Sequence, residues 1–231
     1  MNKIDPFKYF KTSPEIIKLA VMYYIRYPLS LRQVEDILHE RGIDICHETI
    51  RYWWNKFGHL FAKNLKKKVY NSHSNWRWHI DEVFVKINGE LHYLWRAVDH
   101  EGTVIDCFVS KRRDKKAALK VLKKLISKHG YPKEIVTDKL PSYRAALREL
   151  SAQHLQETGR YKNNQVENSH LHFRRREKGM NKFRSMRSLQ KFTAIHSSFF
   201  NHFNHQRHLE TRQNYKNLRQ NSVDSWEEVF A

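Results

Sequence analysis

Trp76-Arg77-Trp78-His79-Ile80-Asp81-Glu82-Val83-Phe84-Val85-Lys86-Ile87-Asn88-Gly89 is the stretch on which the fold turns. Trp76, Trp78 and Ile80 alternate with polar residues, as on a half-buried strand, and Val83, Val85 and Ile87 continue on the other phase. Asn88-Gly89 between two such runs is the strongest short-range hairpin signal. Leu91 to Val98 then makes the return strand, Asp99-His100-Glu101-Gly102 turns again, and Thr103 to Val109 makes a third strand. Asp81 is the anomaly in this meander. Its neighbours Ile80 and Val83 call for burial, and a buried carboxylate must be paired, protonated or bound to metal.

Outward toward the C-terminus, Lys115 to His129 carries Ala118, Val121, Leu122, Leu125 and Ile126 on one helical face, closed by Gly130 and Pro132. Glu134-Ile135-Val136-Thr137 is a short apolar strand ending at Asp138. A helix through Ala145, Ala146 and Leu147 follows, then a short strand around His154 to Gln156, and a long basic helix from about Asn164. The order β-β-β-α-β-α-β-α makes an α/β core, a mixed five-stranded sheet with flanking helices. Asp138 closes a strand where ligands gather in parallel sheets, and Glu167 falls in the first turn of the last helix. Asp81, Asp138 and Glu167 brought together would repel, and hard divalent cations relieve that with oxygen ligands. Glu82, one residue on, points to the opposite strand face and is expected to be structural or to support the site's ligands from behind.

Outward toward the N-terminus the period becomes helical. Ser13-Pro14 places an N-cap and a first-turn proline before Ile17, Ala20, Val21, Tyr24 and Ile25. Ser30 and Gln33 form a capping box before Val34, Ile37 and Leu38, and Gly42 supplies the stop. Ile50, Trp53, Trp54 and Phe57 repeat the stripe in a third helix. Three short helices with a glycine turn outline a helix-turn-helix, whose third helix would present His47, Thr49, Arg51, Tyr52, Asn55 and Lys56 to a major groove. The run Lys63, Lys66, Lys67, Lys68 and the polar residues after it read as a linker. The expected division is therefore 1–62 helix-turn-helix, 63–75 basic linker, 76–200 core and 201–231 C-terminal extension.

The chain has 231 residues and a formal net charge of +19, well beyond the magnitude of about 2–8 that suits a small soluble domain. The excess is spread as +6, +6 and +7 over residues 1–75, 76–167 and 168–231, as befits a surface that follows a phosphate backbone. Forty per cent hydrophobic residues exclude a disordered basic tail. No apolar run spans a bilayer, no apolar segment near Met1 reads as a secretory signal, and Cys46 and Cys107 build neither disulfide framework nor zinc site. A reduced-compartment DNA binder is expected. His202, His205 and His208 recur every third residue of an expected helix; zinc would need a fourth ligand, so surface or hydrogen-bonded histidines are expected.

Trp78-His79-Ile80-Asp81-Glu82-Val83-Phe84-Val85, Tyr93-Leu94-Trp95-Arg96-Ala97-Val98-Asp99, Val136-Thr137-Asp138-Lys139 and Asn163-Asn164-Gln165-Val166-Glu167-Asn168 together resemble the blocks of bacterial insertion-sequence transposases. The resemblance is to the family numbered six, in the DDE superfamily with its retroviral-integrase, RNase H-like core. It implies a transposase that binds its element's terminal inverted repeats and performs DNA cleavage and strand transfer. It also implies catalytic, metal-holding Asp81, Asp138 and Glu167, with magnesium or manganese, two ions, as cofactor. The family's basic residue seven positions after the glutamate falls on Arg174, which with Arg175 and Arg176 is expected to meet DNA phosphate. Element ends and target DNA are the implied partners, with a homodimer or larger oligomer on DNA, in the bacterial cytoplasm at the nucleoid. The rival expectations are a non-catalytic DNA-binding regulator, including a degenerate transposase, and a structure-specific nuclease.

Overall fold

In the computed structural model, residues 5–69, 76–159, 163–180, 183–205, 207 and 209–230 are described, apart from the side chains of 68 and 69. Contacts divide the chain into two units, Met1–Asn71 with Arg176–Asn181 and Ser198–Ala231, and Ser72–Arg175 with Lys182–Ser197.

The first unit begins with α1 (Pro14–Arg26), α2 (Leu31–His39) and α3 (His47–Val69). Proline at the first turn of α1 and the complete capping box of α2, Ser30 with Gln33, set the two starts. Gly42, at φ +73°, makes the turn toward α3, a conformation costly for any residue with a Cβ. Ile17, Val21, Ile25, Val34, Leu38, Ile50, Trp53 and Phe57 form the buried stripes. One expectation is overturned here: residues 63–69 are not linker but the end of α3. Phe61, Ala62 and Leu65 carry the buried stripe through the lysine run, so the lysines are simply the helix's polar face. The rest of the expected linker, 70–75, lies outside the described residues. The C-terminal segment packs within the same unit. In α8 (Arg212–Glu227), Trp226 packs its ring 5.1 Å from Phe61 and 5.2 Å from Phe199, while Lys18 Nζ donates to the carbonyls of Glu227 and Val229.

The second unit is the mixed five-stranded sheet with flanking helices expected of an RNase H-like core. Its strands are β1 (Arg77–Ile87), β2 (Glu90–Asp99), β3 (Val104–Ser110), β4 (Glu134–Thr137) and β5 (Gln156–Glu157), in the spatial order β3-β2-β1-β4-β5. β1–β2 and β2–β3 run antiparallel; β1–β4 and β4–β5 run parallel. Asn88 and Gly89 both take positive φ, the type I′ pattern, and close the first hairpin. Asp99 Oδ1 accepts from the amides of Glu101 and Thr103 and shapes the second turn. One sheet face buries Trp78, Ile80, Trp95 and Ala97 under α4 (Lys115–His129) and α5 (Pro141–Glu149) through Ala118, Leu122, Leu125, Tyr143 and Leu147. On the other face lies α6 (Asn164–Lys178), whose Ser169 Oγ accepts from the buried Arg96 Nε. The unit also holds residues 186–197 of α7 (Met186–Phe203). Gln190 on α7 bonds both the amide of Val109 and the carbonyl of Cys107, which satisfies backbone groups of the edge strand β3. α7 ends at Phe203, so His202 and His205 do not share a helix as expected; both bond Ser222, and His208 lies outside the described residues. Among the described residues, no helix is long and apolar enough to cross a membrane.

Candidate active site

Register builds the site. Ile80 on β1 pairs with Thr137 on β4, the last residue of that strand. Asp81 and Asp138 are each the next residue, so the two carboxylates come together where β4 stops. Beyond Ile80, β1 has no strand partner on the β4 side, and the gap admits side chains from both sheet faces. Glu82 therefore reaches the same place from the opposite face. Ligand atoms of Asp81, Glu82 and Asp138 lie within 4.8 Å of one another, a grouping of three possible metal ligands that no other described residues match.

Each carboxylate is held differently. Asp81 Oδ1 accepts from the Glu82 amide at 2.8 Å. Burial pushes the Asp81 carboxyl up to about 6, and the charges of Asp138 and Glu167 add to the rise, against the opposing pull of that amide and of Arg113. Asp138 Oδ1 accepts from the Leu140 amide at 3.0 Å, which fixes the turn into α5. The Glu82 side chain has no solvent exposure, and burial raises its carboxyl to about 7 although Arg113 works against that rise. Arg113 Nη2 donates to Glu82 Oε2 at 3.1 Å and to Asp138 Oδ2 at 3.0 Å. The hydroxyl of fully buried Tyr143 faces the enclosed Glu82 carboxylate. Burial and the three nearby carboxylates keep that phenol protonated, its pKa raised well above the ordinary value.

His170 Nδ1 lies 3.9 Å from Asp81 Oδ2, yet the contact is not an ion pair. Burial, with Arg96 and Arg174 nearby, holds the imidazole down to about 3, so it is neutral. Glu167 sits in the first turn of α6, exposed and outside the tight group, though its charge raises Asp81. Arg113 was missed by sequence reasoning, and Glu82 was given only a structural or supporting part. Strand alternation assigns Glu82 to the far face, and nothing local to it shows that Arg113 ties its carboxylate to that of Asp138. The donor set is hard carboxylate oxygen, crowded and largely buried, which suits magnesium or manganese.

The basic residues divide. Arg51, Tyr52, Asn55 and Lys56 are exposed on α3; Lys56 Nζ lies 4.6 Å over the Phe10 ring, and Arg51 pairs with Glu48 at 3.3 Å. Thr49 is half-buried with its hydroxyl against Cys46, and His47 is held by Glu35 at 2.8 Å. Arg175 is exposed, and Arg174 donates to the carbonyl of Phe84. Arg176 departs from expectation: it is 1% exposed, its guanidinium 4.6 Å over the Tyr24 ring, so its charge does not face a phosphate. Three consecutive helical residues sweep about 200° of the helix surface, and one of the three arginines had to turn inward.

A family model described as a DDE domain matches residues 75–206. The transposase for the insertion sequence-like element IS431mec of Staphylococcus aureus is 36% identical over 176 residues, 74% of this chain and 78% of the relative. The transposase for insertion sequence element IS257 in transposon Tn4003, from the same species, is 35% identical over equal shares. Among solved structures, the HTLV-2 integrase catalytic core domain in complex with magnesium is 18% identical at a TM-score of 0.40, over 57% of this chain and 88% of that one. The Mos1 transposase catalytic domain is 14% identical at a TM-score of 0.35, over 75% of this chain and 94% of that one.

Proposed function

The chain belongs to the DDE-domain transposases of insertion sequences, and from that premise we propose that it binds the terminal inverted repeats of its element and joins the element's 3′ ends to target DNA. Within the superfamily, the motif blocks favour the family numbered six. The observation that carries the proposal is the placement of Asp81 and Asp138 side by side at the end of paired parallel strands, in a pocket where burial raises the cost of their charge. Asp81, Asp138 and Glu167 are the proposed catalytic acids and would hold magnesium or manganese, two ions in the family's pattern. Bound metal supplies charge neutralisation and an activated oxygen for in-line attack on phosphorus. The chain's own residues do the rest. The Leu140 amide orients Asp138, the Glu82 amide orients Asp81, and neutral His170 lines the same wall. The charge of Glu167, felt by Asp81, supports its role as the third acid.

The helices α1–α3 are the proposed repeat-reading module, with Arg51, Tyr52, Asn55 and Lys56 against base edges or phosphates, and His47 and Thr49 at the helix start. Arg174 and Arg175 are the proposed phosphate contacts beside the catalytic acids. The protein would act as a dimer or larger assembly on DNA, in the cytoplasm at the nucleoid. The test is metal dependence. Purified protein with a donor DNA carrying the repeats should join ends to target only with magnesium or manganese, and strand transfer that persists in excess chelator would defeat the mechanism.

A further inference from the structure

The carboxylate group already holds a cation, the guanidinium of Arg113. One nitrogen, Nη2, bridges Glu82 Oε2 and Asp138 Oδ2 at 3.1 and 3.0 Å. The backbone around it is fixed on both sides. Ahead of it, Trp95 Nε1 donates to Ser110 Oγ at 2.7 Å and Ser110 Oγ donates to the carbonyl of Arg112 at 2.7 Å. Behind it, Asp114 caps α4 by accepting from the Ala117 amide at 2.8 Å. Any exchange at the site is therefore a rotation of the Arg113 side chain rather than a loop movement. In the same placement the guanidinium already lies beside an aromatic ring. The guanidinium carbon lies 5.5 Å from the centre of the Phe84 ring, and that aromatic is 45% exposed. The Arg113 side chain is itself about a quarter exposed, while its Glu82 partner is wholly enclosed.

We propose that Arg113 is a resident counter-cation that occupies the carboxylate group until a divalent ion displaces it. It rests on the metal reading above, since it concerns what that ion must remove in order to bind. Glu82 and Asp138 cannot serve Arg113 and a metal with the same oxygens at once. A buried acid group stripped of every cation is strongly disfavoured, so Arg113 keeps the pocket folded in the metal-free protein and competes with metal for it. Metal affinity is then lowered by the cost of breaking the Arg113 bridge. That predicts the unusual result of removing a positive residue from a site and gaining more than electrostatic repulsion alone would return.

The experiment is calorimetric titration of manganese into the full chain without DNA, for wild type, Arg113→Gln and Arg113→Lys. Arg113→Gln removes the charge but keeps a hydrogen-bonding group beside Glu82, and should bind manganese about tenfold more tightly. Its metal-free melting temperature should fall, and its rise on adding manganese should exceed that of wild type. Arg113→Lys keeps the competing charge and should stay within about twofold of wild type. Damage to the pocket would weaken binding, so the direction of the change is the readout. Equal or weaker affinity in Arg113→Gln, or an equal gain in Arg113→Lys, overturns the competition. If no variant nor wild type binds manganese, the metal reading itself fails and takes this inference with it.

Discussion

The third helix and the middle of β1 use charge in opposite ways. On α3 the charged residues Arg51 and Lys56 lie outside, over a buried floor of Ile50, Trp53, Trp54 and Phe57. In the middle of β1, where β4 stops beside it, the charges lie inside: Glu82 is enclosed, Asp81 is mostly buried and Arg96 is wholly buried. Exposed charges act nearly independently, because water screens each from the next. Enclosed charges are coupled, since removing one changes the protonation and geometry of the others. The first arrangement suits recognition, where many small contributions add. The second suits chemistry, where a few groups must act together.

The sharpest way to break that contrast is to attack the floor rather than the charges. Phe61 stacks among Phe7, Phe57, Trp226 and Phe230 and is fully buried. Phe61→Ala should cost about 3–5 kcal/mol of stability, read by chemical denaturation. A loss below about 1 kcal/mol would mean that the aromatic cluster does not hold the helical unit together. Next in size is the exposed face. Arg51→Ala should weaken repeat binding by about 1–3 kcal/mol if the guanidinium reads a base edge. Equal loss on unrelated DNA would reassign it to phosphate.

A smaller effect tests the enclosed charges. Asp106 is the counterexample within the same sheet. Burial alone would raise its carboxyl, but hydrogen bonds from His129 and Lys128 hold it down to about 2. Its folded pKa is below the unfolded value of about 3.9. Its contribution of about 2 kcal/mol is therefore present above pH 4 and lost as pH falls toward 2. Denaturation curves at pH 5 and pH 3 should differ less in Asp106→Asn than in wild type. An unchanged difference would show that the Lys128 contact, at 2.6 Å, adds nothing. Asp81 and Glu82, shifted upward, work in the opposite sense.

Much of this was legible in the sequence, for reasons that differ by element. The Ser30/Gln33 box, the Asn88-Gly89 turn and the β1 alternation are local signals, and each is satisfied within a few residues of itself. Asp81 and Asp138 were legible because a carboxylate inside an apolar strand, or at its end, needs an explanation. What escaped depended on distant partners. The lysines after Phe61 looked like a break because the stripe of Phe61, Ala62 and Leu65 is buried partly by Trp226, about 165 residues on. Glu82 was given only a supporting part, because its tie to Asp138 runs through Arg113. Arg113 escaped because its role lies in contacts with residues 31 and 25 positions away. Arg176 was one of three equivalent arginines until Tyr24 selected it.

The most direct test measures binding and joining on the same variants. Asp81→Asn, Asp138→Asn and Glu167→Gln each keep side-chain size and remove one negative charge. With magnesium and repeat DNA, each should bind within about twofold of wild type, while strand joining falls by roughly 10²–10⁴-fold. Joining retained in Asp81→Asn or Asp138→Asn, or binding lost in step with joining, would contradict the division between an outer charge that recognises and an inner charge that reacts.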